Sequence, residues 1–385
     1  MDLYIYNRSL QLIHVMDTYE SFRWVRKYTD CGEFELHCPF TLQNIALLAK
    51  ENIIRKQDSH EAACISYRTI KQNDKGEESI VIKGKFLQGY LKRRIIWGNE
   101  ILNTTVEAAI RTLIEKNSIT PTVVQRIIPN LILGSLNNYT EMVDYETAYK
   151  NLLEEITSLC TAYEYGQRIR LDSRNHKLIF ELYKGLNRTS SQQQNPQCVF
   201  SKEFDNLLDY EYTDSIEDYK NVVLVGGKSD DDDSDRRFVT VGSGEGLDRF
   251  EVFNNQGGLS TKKDKVEMST AEYDALLAEK GNTTLSQSKE AQSLSASINL
   301  RSNLKYRTDF DLGDIVTCKI NKLGLKLDSR IMEIEEVYEE TGLEVFIVFG
   351  DEVLTLVEKV KLMGQQSNTS SGGTSSISSI DGGTF

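Results

Sequence analysis

No apolar run in this chain of 385 residues is longer than a β-strand. Val222-Val223-Leu224-Val225 and Val345-Phe346-Ile347-Val348-Phe349 are among the longest. Both fall far short of the roughly 20 apolar residues that a membrane-spanning helix needs. Such a chain builds its cores from short paired segments, and the period of its apolar residues decides which segments are strands and which are helices. Over the first ~98 residues the period is two. Leu3-Tyr4-Ile5-Tyr6, Ser21-Phe22-Arg23-Trp24-Val25-Arg26 and Glu33-Phe34-Glu35-Leu36-His37-Cys38 are rich in aromatic and β-branched residues and are separated by turn formers such as Asn7 and Gly32. Phe22, Trp24 and Tyr28 are expected to point inward. Residues 41–50 read as a short helix behind a Thr41 cap. Residues 52–55, 62–72 and 79–85 read as further strands, the last two joined by a hairpin turn at Asn73-Asp74-Lys75-Gly76.

From Leu102 the period lengthens. Residues 104–117 carry Val106, Ile110, Leu113 and Ile114 on one helical face, with Thr104 or Thr105 as cap. Residues 144–163 predict a second helix with a stripe of Ala148, Leu152, Ile156, Leu159 and Tyr163. Residues 168–172 and 177–183 then alternate across Ser173-Arg174-Asn175-His176, which predicts a hairpin and makes residues 99–197 an α+β unit. From Cys198 strand patterns return, at 200–205, 207–214 and 219–227, and again at 299–304, 315–320, 325–337 and 343–348. Between these lie an acidic loop, 230–235, and a helix at 269–280, capped by Ser269, with Glu272 at the capping-box position and Gly281 as its stop. Residues 363–385 are dominated by Gly, Ser and Thr and read as a flexible tail, or one ordered only by a partner.

With 39% hydrophobic residues the chain can bury real cores. Its formal net charge of −13 repels nucleic-acid backbones and anionic lipid, which disfavours a sequence-specific nucleic-acid reader or a membrane-surface protein. A channel that passes DNA without binding it would also be acidic. Residues 1–12 contain Asp2 and Arg8 and no apolar run of signal-peptide length, so folding in a cytoplasm without a secretory signal is expected. Cys31, Cys38, Cys64, Cys160, Cys198 and Cys318 form no CxxC pair and are expected to be reduced and mostly buried.

The chemistry of an enzyme leaves no local mark. His14, His37, His60 and His176 are isolated in sequence, and no HExxH, P-loop or dinucleotide fingerprint occurs. Gly242-Ser243-Gly244-Glu245-Gly246 lacks the Lys-Ser/Thr of a phosphate loop and reads as a mobile loop. The run from Asp230 fails the calcium-loop frame, which would need Gly where Asp235 stands and Glu where Val241 stands. His37 and Cys38 point to opposite faces of a strand, so Cys31, His37 and Cys38 do not share a metal. With 58 Asp and Glu some carboxylate pair is inevitable, and nothing singles one out. No catalytic, cofactor-binding or metal residue is assigned, and no cofactor is expected.

The most informative stretch is Tyr306-Arg307-Thr308-Asp309-Phe310-Asp311-Leu312-Gly313-Asp314-Ile315-Val316-Thr317. It resembles the aromatic–x–x–Asp–Phe–Asp–Leu–Gly–Asp–x–Val pattern near the C-terminus of tail proteins from phages and prophages of Gram-positive bacteria. Four further blocks follow that family's order: Ser21-Phe22-Arg23-Trp24 with Gly32-Glu33-Phe34-Glu35-Leu36, Phe204-Asp205-Asn206-Leu207-Leu208, residues 219–227, and residues 329–338 with Phe349-Gly350. The residue types make physical sense by themselves. Leu312-Gly313-Asp314 is a tight turn into a strand, with glycine supplying backbone angles that other residues resist, and Asn206 and Asn221 are placed to bond local backbone.

The resemblance implies a structure similar to the hub of a tail baseplate. The fold expected is α+β, predominantly β, with two hub-type β-barrel domains, an intervening α+β domain and a flexible C-terminal tail. The first barrel would be 1–98, the α+β domain 99–197, and the second barrel 198–228 together with 300–362. Residues 229–299 would be an insertion carrying the helix and mobile loops. The function implied is structural and non-enzymatic: a homotrimeric ring joining the tail tube, or a distal tail protein, to a spike, fibre or baseplate protein below, with a tape-measure protein as a further partner. The protein would reside in a virion or headless tail-like particle. The alternatives are a cell-wall hydrolase of the tail and a receptor- or glycan-binding tail-tip protein.

Overall fold

The computed structural model describes residues 1–228, 236–263 and 266–350. The acidic loop 230–235, residues 351–362 of the expected second barrel and the tail 363–385 lie outside the described residues.

The first lobe is the alternating region of the sequence. Strands β1 (Leu3–Tyr6), β2 (Leu12–Met16), β3 (Ser21–Lys27) and β4 (Glu33–Pro39) precede helix α1 (Leu42–Leu47), and β5 (Ile53–Lys56), β6 (Ala63–Gln72) and β7 (Glu78–Phe86) follow it. All pair antiparallel in the order β3-β4-β7-β6-β5-β1-β2. Phe22, Trp24, Phe34, Leu36, Ile80 and Ile82 face the core, and the Trp24 ring lies 4.3 Å from that of Phe86. Thr41 caps α1 by accepting from the Asn44 amide at 2.9 Å. Asn73 makes the expected hairpin turn by accepting from the Lys75 and Glu77 amides.

The α+β unit holds β8 (Asn99–Thr105), α2 (Val106–Ile114), β9 (Leu131–Leu133), β10 (Met142–Ala148), α3 (Leu152–Ala162), β11 (Gly166–Asp172) and β12 (Lys177–Tyr183). Thr105 caps α2. The expected helix over 144–163 splits. Its first part is strand β10, in which Val143, Tyr145 and Thr147 are buried at period two against β8. The helix begins only after Asn151, whose side chain accepts from the Leu153 and Glu154 amides. Ala148 matched the helical stripe by spacing alone. The expected hairpin is β11–β12, to which β9 adds in parallel. Leu87, Leu91 and Ile96 carry the first lobe's core into this unit without a break.

The second lobe is discontinuous. It comprises β13 (Val199–Ser201) and β14 (Leu207–Ser215), then, beyond an insertion, β20 (Ala291–Ile298), β21 (Ile315–Ile320), β22 (Leu325–Glu339) and β23 (Gly342–Gly350). The insertion consists of β15 (Val222–Gly226), β16 (Phe238–Gly242), β17 (Glu251–Asn255), the two-residue strands β18 (Lys262–Lys263) and β19 (Val266–Glu267), and α4 (Thr270–Gln287). Strand pairing cuts the chain at points other than 228 and 300. β15 sits in the insertion's own sheet, β16-β15-β17, and β20 pairs with β14 and β23. Residues 299–304 are not a strand. The strand lies just before them, where Leu294, Ala296 and Ile298 point inward between serines that resemble a loop in composition. Helix α4 has its Ser269–Glu272 capping box but runs past Gly281. That glycine is there for packing, because a Cβ would overlap Val241.

The two lobes meet strand to strand. β22 pairs antiparallel with β3, Glu333 opposite Lys27 through Tyr338 opposite Phe22. The main sheet therefore runs β14-β20-β23-β22-β3-β4-β7-β6-β5-β1-β2, with β21 and β13 branching from β22. The protein is predominantly β, and among the described residues no pairing closes either lobe into a barrel. Three cores lie around this sheet: one in the first lobe and α+β unit, one in the second lobe, and a small one between β15 and α4.

Candidate functional site

The Asp-Phe-Asp-Leu-Gly-Asp stretch folds as a turn that clamps three parts of the chain together. Gly313 has φ of +91°, and a Cβ there would overlap the ring of Tyr28. Tyr28 follows β3, is fully buried, and belongs to the second lobe's core rather than to that of its own lobe. Its hydroxyl donates to the Glu164 carbonyl at 2.9 Å, and burial pushes its pKa up to about 12. Gly166 also leaves room for this ring, and Gly185 packs directly on the Gly313 backbone. Asp314 completes the turn. It accepts from the Leu186 amide at 2.7 Å, from Arg188 Nε at 2.8 Å and from the Asp311 amide at 3.1 Å. Phe310 and Phe200 stack edge to face at 5.0 Å inside the second core.

Beside this turn, where β3 meets β22, lies a chain of ion pairs built on the buried Arg26, Lys56, Glu61 and Glu336. Arg26 donates from Nε to Glu61 at 2.7 Å and from a terminal nitrogen to Asp311 at 2.6 Å. Lys56, also fully buried, pairs with Glu336 and with Asp58. Glu336 further accepts from Arg307 at 3.1 Å and from the hydroxyls of Tyr306 at 2.9 Å and Tyr338 at 2.6 Å. Burial alone would raise the Glu336 pKa, and the Lys56 and Arg307 cations outweigh it and hold the group below the usual carboxylate range. Arg26, Lys56, Asp58 and Glu61 come from the first lobe, and Tyr306, Arg307, Asp311, Glu336 and Tyr338 come from the second. Every ion pair among Arg26–Asp311, Lys56–Glu336 and Arg307–Asp58 crosses the junction.

In this arrangement each of the carboxylates Asp58, Glu61, Asp311 and Glu336 is engaged by a cation, and Glu336 by two hydroxyls as well. Elsewhere, among the described residues, the histidine ring hydrogen bonds are His37 to Glu35 at 2.8 Å and His176 to the Leu10 carbonyl at 3.0 Å. Neither reaches a serine or cysteine. All six cysteines are buried and free, and burial pushes the Cys31, Cys38 and Cys198 thiols up to about 12, far from a reactive thiolate. No group of three or more potential metal ligands occurs among the described residues, Cys31, His37 and Cys38 included. The glycine-rich stretch 242–246 is held at its end by Asn221, which donates to the Asp248 carbonyl and accepts from the Phe250 amide. Asn206 bonds backbone closer by, at Ser201 and Val199. No described helix is long and apolar enough to cross a membrane.

The turn is legible in the sequence, and the charge network is not. The missing signal was phase. Arg26 continues the inward series Phe22, Trp24, and Glu336 continues Ile331, Ile334 on buried positions of β22. A charged residue at a core phase needs a partner.

Residues 2–351 match the family model described as Siphovirus ReqiPepy6 Gp37-like protein. No curated protein matches the chain. Among solved structures, the 43 kDa tail protein of prophage MuSo2 from Shewanella oneidensis aligns with TM-score 0.54 at 11% identity, over 91% of this chain and 98% of that one. Prophage tail protein gp18 from Listeria monocytogenes EGD-e aligns with TM-score 0.52 at 15% identity, over 96% and 99%. The tail protein from Neisseria meningitidis MC58 gives 0.54 at 10% identity, over 91% and 96%. At these identities the likeness is one of fold, and the spread of organisms ties that fold to no single host.

Proposed function

Since the chain belongs to the siphovirus tail-protein family described as Siphovirus ReqiPepy6 Gp37-like protein, we propose that it is the hub of a phage tail or tail-like particle. In this reading it is a non-enzymatic structural subunit of the virion or particle. Three copies form a ring that joins the tail tube, or a distal tail protein, to the spike, fibre or baseplate proteins below. The two lobes take the places of the two hub-type barrels around that ring.

The observation that carries this reading is the junction. A ring under a tail tube must transmit load without its halves rotating against each other. Here one hydrogen-bonded sheet runs through both lobes, and its join is crossed by the buried Lys56–Glu336 pair and by the half-buried Arg26–Asp311 pair. Unlike a catalytic cleft, this construction spends its buried charge on holding two bodies in one orientation. The reading is tested on particles. A tagged copy should label the tip of purified tails, and tails made without the protein should lack their distal spike or fibre. Labelling along the whole tube, or none, would overturn the hub assignment. Release of soluble fragments from cell walls by the purified protein would overturn its non-enzymatic part.

A further inference from the structure

The two ends of the main sheet differ in chemistry. Among the described residues β2 pairs only with β1, and β14 only with β20. Strand β2 exposes Leu12 (51%), Ile13 (42%) and Val15 (41%), so apolar side chains meet solvent on both faces of an open edge. It contains no Lys, Glu, Asp or Pro, the residues that keep a free edge from recruiting another strand. The chain around it is mildly basic: residues 7–16 hold Arg8 and His14 and no carboxylate. Beside the turn between β1 and β2 lies a concavity of about 150 Å³ lined by Arg8, Leu10, Glu51, Arg93 and Arg94 among others, in which Glu51 pairs with Arg93 at 2.8 Å and leaves Arg8 and Arg94 as its excess charge. Arg94 donates to the Arg126 and Arg93 carbonyls at 2.6 and 2.9 Å, and among the described residues it forms no ion pair with a carboxylate.

The opposite edge is acidic. Residues 203–218, which contain β14, hold seven Asp or Glu and no Lys or Arg. Phe204, Leu208 and Ile216 stand exposed among them. One end of the sheet thus offers apolar side chains with an acidic rim, and the other offers apolar side chains with a basic rim.

We propose that β14 of one copy adds to the β2 edge of a second copy, so that the sheet continues from protomer to protomer. The contact is heterologous, with different surfaces on the two partners, and a heterologous contact that closes produces a ring. Main-chain hydrogen bonds between the edges supply the pairing, the exposed Leu12, Ile13, Val15 and Leu208 supply apolar burial, and the opposed rims set direction. An edge with β2's composition would self-associate without order if left open, and pairing with a charged, directional partner removes that hazard. The inference rests on the ring reading above and names the surfaces that would close it.

The test is a charge exchange in the full chain, read by sedimentation equilibrium. Arg8→Glu with Val15→Glu places acid on the β2 edge, and Asp209→Lys with Glu211→Lys places base on β14. All four side chains lie outside the cores, and circular dichroism and melting should match the unaltered chain. The unaltered chain should assemble with concentration, and each double variant should raise the half-assembly concentration at least about tenfold. All four substitutions in one chain should restore assembly toward the original value. Retained assembly in either double variant, no recovery in the fourfold variant, or a chain monomeric at every concentration would overturn the pairing. None of these results touches the particle-labelling test. Tip labelling with failed charge exchange leaves the hub and removes this contact, and successful exchange without tip labelling leaves the contact and removes the hub.

Discussion

Gly313 and Glu336 show what a single residue does at the junction. Gly313 was legible in the sequence, because a glycine between Leu312 and Asp314 at a strand entry signals backbone angles that other residues resist. Its second constraint, the Tyr28 ring where a Cβ would go, depends on a residue 285 positions earlier and could not be read locally. The two constraints separate by comparison. Gly313→Val is expected to lower stability by about 1–3 kcal/mol. Gly324→Ala, at φ +64° with open space around it, should cost only about 1 kcal/mol through backbone strain. Urea melts of both would decide, and equal losses would mean that the Tyr28 packing contributes nothing. Glu336 was not legible as special, since it is one of four glutamates among Glu333, Glu335, Glu336 and Glu339, and only strand phase distinguishes it. Glu336→Gln leaves Lys56 buried without its main carboxylate, and such a loss costs about 3–5 kcal/mol. By contrast, removing the exposed Lys83 partner of Glu35 should change stability by less than about 1 kcal/mol. A Glu336→Gln variant as stable as the Lys83→Ala variant would show that the network is not what locks the lobes.

Elements were legible where one period ruled a segment and illegible where composition disguised it. β21, β22 and β23 follow their predicted spans within a few residues because their apolar alternation is clean. β20 is hard to read because serines, residues that also fill loops, alternate with its core positions Leu294, Ala296 and Ile298, and β10 reads as part of a helix because Ala148 falls four residues before Leu152. Helix α4 shows how a correctly predicted element can acquire an unforeseen contact. Its Tyr163–Glu279 and Gln287–Ser158 hydrogen bonds, 2.6 and 2.9 Å, fasten the insertion to α3. Lys280 reaches across to the Glu146 carbonyl and over the Tyr145 ring. Burial pulls the Lys280 pKa down to about 8, with Lys150 lowering it further and Glu155, Glu146 and Glu279 opposing the shift. The sign follows from linkage. A lysine whose folded pKa lies below its unfolded value of roughly 10.4 makes the unfolded state the better proton binder between those two values. Lys280's contribution to folding is therefore most favourable above about pH 10.4 and declines as pH falls through about 8. Amide exchange in α4, followed from pH 7 to 10 and corrected for intrinsic rates, should show protection rising with pH. In Lys280→Met that dependence should flatten. An unchanged slope in the variant would assign the pH effect to another group.

For the whole molecule, what is legible over the described residues is two β-rich regions on either side of an α+β unit. What the sequence does not convey is that both regions belong to one sheet, because the pairing of β3 with β22 joins residues about 310 apart along the chain and neither strand's pattern names its partner. That pairing has a thermodynamic consequence. Two lobes linked by a loop would unfold independently, each with its own midpoint. Here, opening the second lobe would strip β22 from β3, leave Arg26 and Lys56 without Asp311 and Glu336, and expose Tyr28, so either lobe's unfolding removes support from the other. The lobes should therefore unfold in a single cooperative step. Cys38 is buried in the first core and Cys318 in the second, and they report on the two lobes separately through thiol labelling in increasing urea. Both should become reactive at the same midpoint, and in Glu336→Gln that shared midpoint should fall. If Cys318 labels at distinctly lower urea than Cys38 in the unaltered chain, the lobes are independent bodies and the junction is a contact rather than a lock.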